Sequence, residues 1–183
     1  MATWTNPPTF SAGGTATASD MNTLGSDLAL VGKPPAVYAY QTTAQTGIAT
    51  GTATPTKVTF DSTYINQDGM YVAATSKSKL TVVTAGYYLL SGLAAFNEPG
   101  SANTGLRWAV LYKNNSQLSG GAVITNPISA TSSYTFLTTP QLIVNCAAGD
   151  YLELGIFHTQ GANIGTYVGG AYCSSLTAQW VSA

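Results

Sequence analysis

Along most of the chain, apolar and polar residues alternate in short runs that end at Gly, Pro, Asn or Asp. A period of two puts successive side chains on opposite faces of an extended backbone, so each run predicts a strand. VYAYQTT (37–43), KVTF (57–60), KLTVV (79–83), YYLLSGLAAF (87–96), LRWAVLYK (106–113), QLSGGAVIT (117–125), SYTFLTTPQLIVN (133–145), YLELGIFH (151–158) and SSLTAQWV (174–181) read this way. Asp68-Gly69, Thr84-Ala85-Gly86, Asn114-Asn115 and Ala148-Gly149-Asp150 supply turns. Pro140 cannot donate to a ladder, so its run is an edge or bulged strand. Roughly eight to ten strands, with turn signals every eight to twelve residues, predict an antiparallel sandwich or jelly roll. No segment repeats at a fixed period, which argues against a solenoid or propeller.

The first 35 residues follow another pattern. Thr17 is placed to cap a helix, and Asp20 sits three positions later at its positive end. Met21, Leu24, Leu28 and Val31 then recur at helical spacing as one apolar stripe, and Gly32-Lys33-Pro34-Pro35 stops the helix. A helix of about three turns is unstable alone in water. It must pack on the body, on a copy of itself or on a partner. The chain therefore divides into an N-terminal segment (1–35) and a β domain (36–183).

Several strands are apolar on both faces. In YYLLSGLAAF, Tyr88, Leu90, Ala94 and Phe96 share one face, while Tyr87, Leu89, Leu93 and Ala95 share the other. In YLELGIFH, Leu152, Leu154 and Ile156 lie opposite Tyr151 and Phe157. One face enters the domain core and the second needs a cover. Either the leader helix or another copy of the chain supplies it. The expected interface residues are Tyr88, Leu90, Tyr151 and Phe157.

Composition narrows the function. Charged residues make up only 7% of the 183, with 11 Tyr and a net charge of −1, against roughly a quarter charged in ordinary domains. Such a surface offers no field to gather nucleic acid or anionic lipid. MATWTNPP lacks the basic start and apolar run of a signal peptide, and the longest apolar run, 87–96, is too short to span a bilayer. Cys146 and Cys173 are isolated in sequence and read as buried thiols, with a cross-strand bridge left open.

Candidate chemistry is sparse. His158, the only histidine, ends an apolar strand, and no G-x-S-x-G elbow accompanies it. Asp150 and Glu153 are the only carboxylates close in sequence within the domain body that suggest a glycosidase pair, but their spacing points them to opposite strand faces. Cys146, Cys173 and His158 match no zinc-finger spacing. GSANTG (100–105) lacks the Lys-Ser/Thr of a phosphate loop. No catalytic residue, metal or cofactor is expected. Tyr134, Tyr167 and Tyr172 lie in or near loops and are suited to contact a receptor.

KLTVVTAGYYLLSGLAAF, RWAVLYKNNSQL, AAGDYLELGIF and the terminal LTAQWVSA together resemble the complement globular-head and tumour necrosis factor-like superfamily. Gly86, Tyr88 and Leu90 match its P-x-x-G-x-Y-x-F motif, with Leu in the Phe place and Val83 where Pro is common. Gly149, Asp150, Leu152 and Leu154 match its later GD-apolar motif. The resemblance covers about residues 37–183 and implies an all-β, antiparallel jelly-roll sandwich, preceded here by the short helix, that forms a homotrimer.

The leader is similar to the opening of many tailed-phage virion proteins. Trp4, Thr5, Pro7, Phe10 and Gly13 are followed by Thr17, Ala18, Asp20, Met21, Asn22, Leu24, Asp27 and Leu28. This resemblance implies a virion protein, assembled in the bacterial cytoplasm and fixed to other virion proteins through Trp4, Pro7, Phe10, Met21, Leu24 and Leu28. The expected role is a tail- or fibre-associated knob meeting a host-surface glycan or protein. A capsid fibre or decoration protein on the head, and a carbohydrate-active enzyme, are the alternatives.

Overall fold

The structure, a computed structural model, describes residues 5, 8–10, 12–51, 54–97, 105–126 and 134–183. Its elements run α1 (Ala18–Gly32), β1 (Ala36–Tyr40), β2 (Thr56–Lys57), β3 (Ser62–Asn66), β4 (Leu80–Thr81), β5 (Gly86–Asn97), β6 (Arg107–Lys113) and β7 (Ser116–Thr125). They continue as β8 (Tyr134–Thr138), β9 (Leu142–Cys146), β10 (Tyr151–His158), β11 (Gly165–Thr166), β12 (Val168–Gly169), β13 (Tyr172–Cys173) and β14 (Ser175–Ser182). A 7-stranded sheet has the order β11-β5-β14-β1-β3, with β8 and β9 both pairing β5. A 5-stranded sheet has the order β2-β10-β6-β7, with β4 pairing β10. A small β12-β13 hairpin stands apart, and every ladder is antiparallel.

The long run 133–145 splits at Pro140 into β8 and β9, as a bulged strand must. β5 pairs β8 up to Leu93↔Thr138 and resumes on β9 at Leu90↔Leu142. Across the break the Thr139 amide donates to the Gly92 carbonyl, and the Gly92 amide donates to the Thr139 hydroxyl, both at 2.9 Å. The interruption thus leaves neither amide unpaired. The hairpin between β6 and β7 turns at Asn114 and Asn115, with φ of 50° and 64°, the left-handed pair that a two-residue turn needs.

The core lies between the sheets, where Leu90, Phe96, Leu111, Leu152, Leu154, Ile156 and Leu176 are fully buried. Burying each such side chain contributes on the order of 1.5–3 kcal/mol. The helix begins as expected. Thr17 caps it, and its hydroxyl and the Asp20 carboxylate complete a reciprocal capping box.

Two expectations need correction here. Tyr88 and Leu90 are not free for a second copy, because both are fully buried in the chain's own core. Their register partners, Trp180, Ala178 and Val144, face the same interior. Tyr151 and Phe157, the other two expected interface residues, lie half-buried on the smaller sheet. Tyr151 sits beneath Lys79, whose Nζ is 4.0 Å from the ring centre, and Phe157 meets Trp108 edge-on at 5.9 Å. The outward face of β5 is the other one: Tyr87, Leu89, Ser91 and Leu93.

Candidate functional site

Charge is segregated between the two sheets. The strands of the larger sheet, β1, β3, β5, β8, β9, β11 and β14, contain no Asp, Glu, Lys or Arg. Among the described residues, all strand-borne charges (Lys57, Arg107, Lys113 and Glu153) belong to the smaller sheet. The outward face of the larger sheet therefore presents only apolar, aromatic and neutral polar groups. Ile143 on β9 is 66% exposed and Tyr64 on β3 is 77% exposed, with Tyr87 and Val181 also open.

Two aromatic groups lie at the edges of this sheet. At the β1–β3 edge, Tyr40 and Tyr64 stack with ring centres 4.6 Å apart, and Tyr38 leans on Tyr64 at 5.5 Å. The sequence pattern did not single these three out, although the alternation in VYAYQ places Tyr38 and Tyr40 on one face. At the opposite edge, Tyr134 and Tyr167 approach to 3.8 Å, and Phe136 lies 6.1 Å from Tyr167 and 5.2 Å from Tyr172. The three tyrosines expected to contact a receptor are thus brought into one cluster, with Phe136 added. Tyr167 can lie across the hairpin because position 169 is glycine: a Cβ there would stand 2.1 Å from the Tyr167 hydroxyl. A hydrogen bond with Tyr134, then desolvation, holds the Tyr167 phenol above its ordinary pKa.

The leader helix and this cluster occupy opposite ends of β5. At the Gly86 end, Leu30 of the helix enters the core, and Leu30, Lys33, Pro35, Asp68 and Thr84 line a cavity of ≈ 470 Å³. At the other end Asn97 pairs with Tyr134. A strand of this length separates them by about 36 Å.

The helix buries Asp27 and Leu30, while Met21, Leu28 and Val31 stay exposed and Leu24 is half-buried. The predicted apolar stripe therefore faces away from the body. Asp27 is accounted for by Thr5, whose amide and hydroxyl donate to its Oδ1 at 3.1 and 3.3 Å. Two residues of the leader pattern thus bind one another across 22 positions and fold the segment back on the helix. Phe10 is exposed. Trp4 and Pro7 lie outside the described residues.

The groups weighed for chemistry are occupied. His158 is fully buried, with Nε2 2.9 Å from the Ile48 carbonyl. Asp150 binds Lys113 at 2.8 Å and accepts from Asn114, the amide of which lies 2.7 Å away. Lys113 first, then Asn114, lowers its pKa to about 2. Glu153 is buried against Lys57 at 3.1 Å, with Ser78 on its other oxygen. Cys146 and Cys173 are free thiols, and burial pushes Cys146 up to about 11. Among the described residues, no three His, Cys, Asp or Glu side chains converge as metal ligands.

No family model matches the chain, and neither does any curated protein sequence. Solved structures do. The globular domain of zebrafish complement 1qA protein aligns with a TM-score of 0.56 at 11% identity, covering 80% of this chain and 97% of that one. Murine APRIL, in a crystal structure at pH 8.5, aligns with a TM-score of 0.54 at 12% identity, covering 79% and 97%. Neither points to an enzyme family. The two-sheet antiparallel sandwich described above thus has the all-β jelly-roll fold of these two structures, with a short helix in front of it.

Proposed function

We propose that this chain is a structural protein of a tailed-phage particle, a homotrimeric knob held by its N-terminal segment, whose work is binding without a bond-breaking step. The observation that carries the reading is the uncharged outward face of the larger sheet. Five strands abreast span about 24 Å, and the face they make is on the order of 700 Å². One partner's share of a stable interface is about 800 Å². Copies of the chain are the economical cover for such a face. The phage assignment is supported by the leader pattern from Trp4 to Leu28, and binding by the aromatic cluster at the end of β5 remote from the helix.

The knob is tail- or fibre-associated, and Tyr134, Phe136, Tyr167 and Tyr172 meet a host-surface glycan or protein. Light scattering of the purified chain should give a mass near three times 18.9 kDa; a single-chain mass would overturn the trimer. Labelled microscopy of particles should then find the protein on the tail, whereas label on the head would replace this role with capsid decoration. A chain lacking residues 2–16 keeps Leu30 in the core and should stay folded but fail to join particles. Incorporation of that truncated chain would refute the anchor.

A further inference from the structure

We infer that the exposed stripe of α1 is a seam for the same helix from two other copies of the chain, so that three helices form a short bundle beneath the knob. This rests on the trimer reading above and adds a contact that the reading does not require. The stripe residues Met21, Leu24, Leu28 and Val31 are spaced by three, four and three positions. That is the a/d spacing of a coiled-coil seam, a pattern complementary to another helix of its own kind. A helix turning about 100° per residue centres the stripe about 140° from Leu30, which packs on the body. Leu28 is 72% exposed, and Met21 and Val31 are each more than half exposed.

A second observation selects the occupant. Val31 and Pro34 line one hollow of ≈ 430 Å³ together with Trp180, Val181 and the chain terminus. Val181 is exposed, and its neighbour Ser182 pairs with Tyr87 on the outward face of β5. The helix seam is therefore continuous with the uncharged sheet face, and whatever covers the one adjoins the cover of the other. Thr5 is tied to Asp27, on the body side of the stripe. A virion partner would have to fit a heptad-spaced stripe that three symmetry-related helices already satisfy.

Cysteine cross-linking in the full chain tests this. Cys173→Ser removes the half-buried native thiol and Cys146 stays buried. In that background Leu28→Cys should form interchain disulfides on mild oxidation at least tenfold faster than Ser26→Cys, which lies on the far side of the helix. Equal or absent cross-linking in a protein of three-chain mass would overturn the seam and leave the trimer standing. A single-chain mass would overturn both. Leu28→Glu gives a second reading. It should slow exchange of labelled chains less than the wild type does, so that mixed trimers appear sooner. If exchange is unchanged while particle incorporation is lost, the stripe belongs to a virion partner and the inference fails.

Discussion

Gly86 shows how much one position can fix. Its φ is +147°, and a Cβ there would stand 2.3 Å from the Trp180 indole nitrogen and 2.4 Å from the Ser182 carbonyl oxygen. The indole itself donates to the Ala85 carbonyl at 3.2 Å, so the ring cannot retreat without losing a bond. Gly86→Ala should cost about 3 kcal/mol, the upper end for overpacking, and lower the melting temperature without changing the partners of the aromatic cluster. Asp150 makes a different kind of contribution. Held at about 2 by Lys113 and Asn114, its carboxyl is more acidic folded than unfolded. Its stabilising effect is complete above the unfolded value near 3.9 and is lost as pH falls through about 2. Because the pair with Lys113 lies at the surface and is partly open to solvent, Asp150→Asn should cost only about 1 kcal/mol at neutral pH. Denaturant midpoints of variant and wild type should converge below pH ~2. Some of this was legible in advance: Asn114-Asn115 announces its turn because both residues tolerate a left-handed backbone. The bond between Thr5 and Asp27 was not, since no local spacing signals a contact between segments 22 residues apart.

Among the strands and the helix, what could be read depended on contrast. Tyr151–His158 and the Thr17 cap were legible because a turn or a capping pair bounds them. Which face of β5 points inward was not. Both faces are apolar, and alternation decides orientation only when one set is polar. The neighbours decide it: β14 and β9 present Ala178, Trp180 and Val144 to the interior, and Tyr88 and Leu90 join them. The helix misled in a related way, since its most regular apolar stripe is the one it exposes. On the smaller sheet, Lys57 and Glu153 pair at 3.1 Å beside the Tyr112 ring. Desolvation lowers the Lys57 amine against the pull of Glu153. Lys57→Met would leave a buried carboxylate uncompensated and should cost about 3–5 kcal/mol. The double change Lys57→Met with Glu153→Leu should recover most of that loss, as measured by chemical denaturation.

For the assembled protein, the prediction concerns the larger sheet. Ile143→Lys places a cation on the exposed outer face of β9, away from the core. The single chain should fold as before, judged by its near-ultraviolet dichroism, while light scattering falls from three chains toward one. A three-chain mass carrying that lysine would move the interface elsewhere. The jelly-roll architecture was legible from turn spacing and short motifs. The proposed interface was only half legible, because sequence reported an excess of apolar surface without reporting which surface remained outside.

The absence of charge from every strand of the larger sheet also sets how a trimer responds to its surroundings. Without ion pairs across the contact there is little for added electrolyte to screen. Raising sodium chloride from 0.1 to 1 M should leave the association constant nearly unchanged. Apolar contact weakens on cooling, because water's disorder drives it less strongly near freezing. Such a trimer would tolerate brine and loosen in the cold, with an association constant lower near 0 °C than at 37 °C.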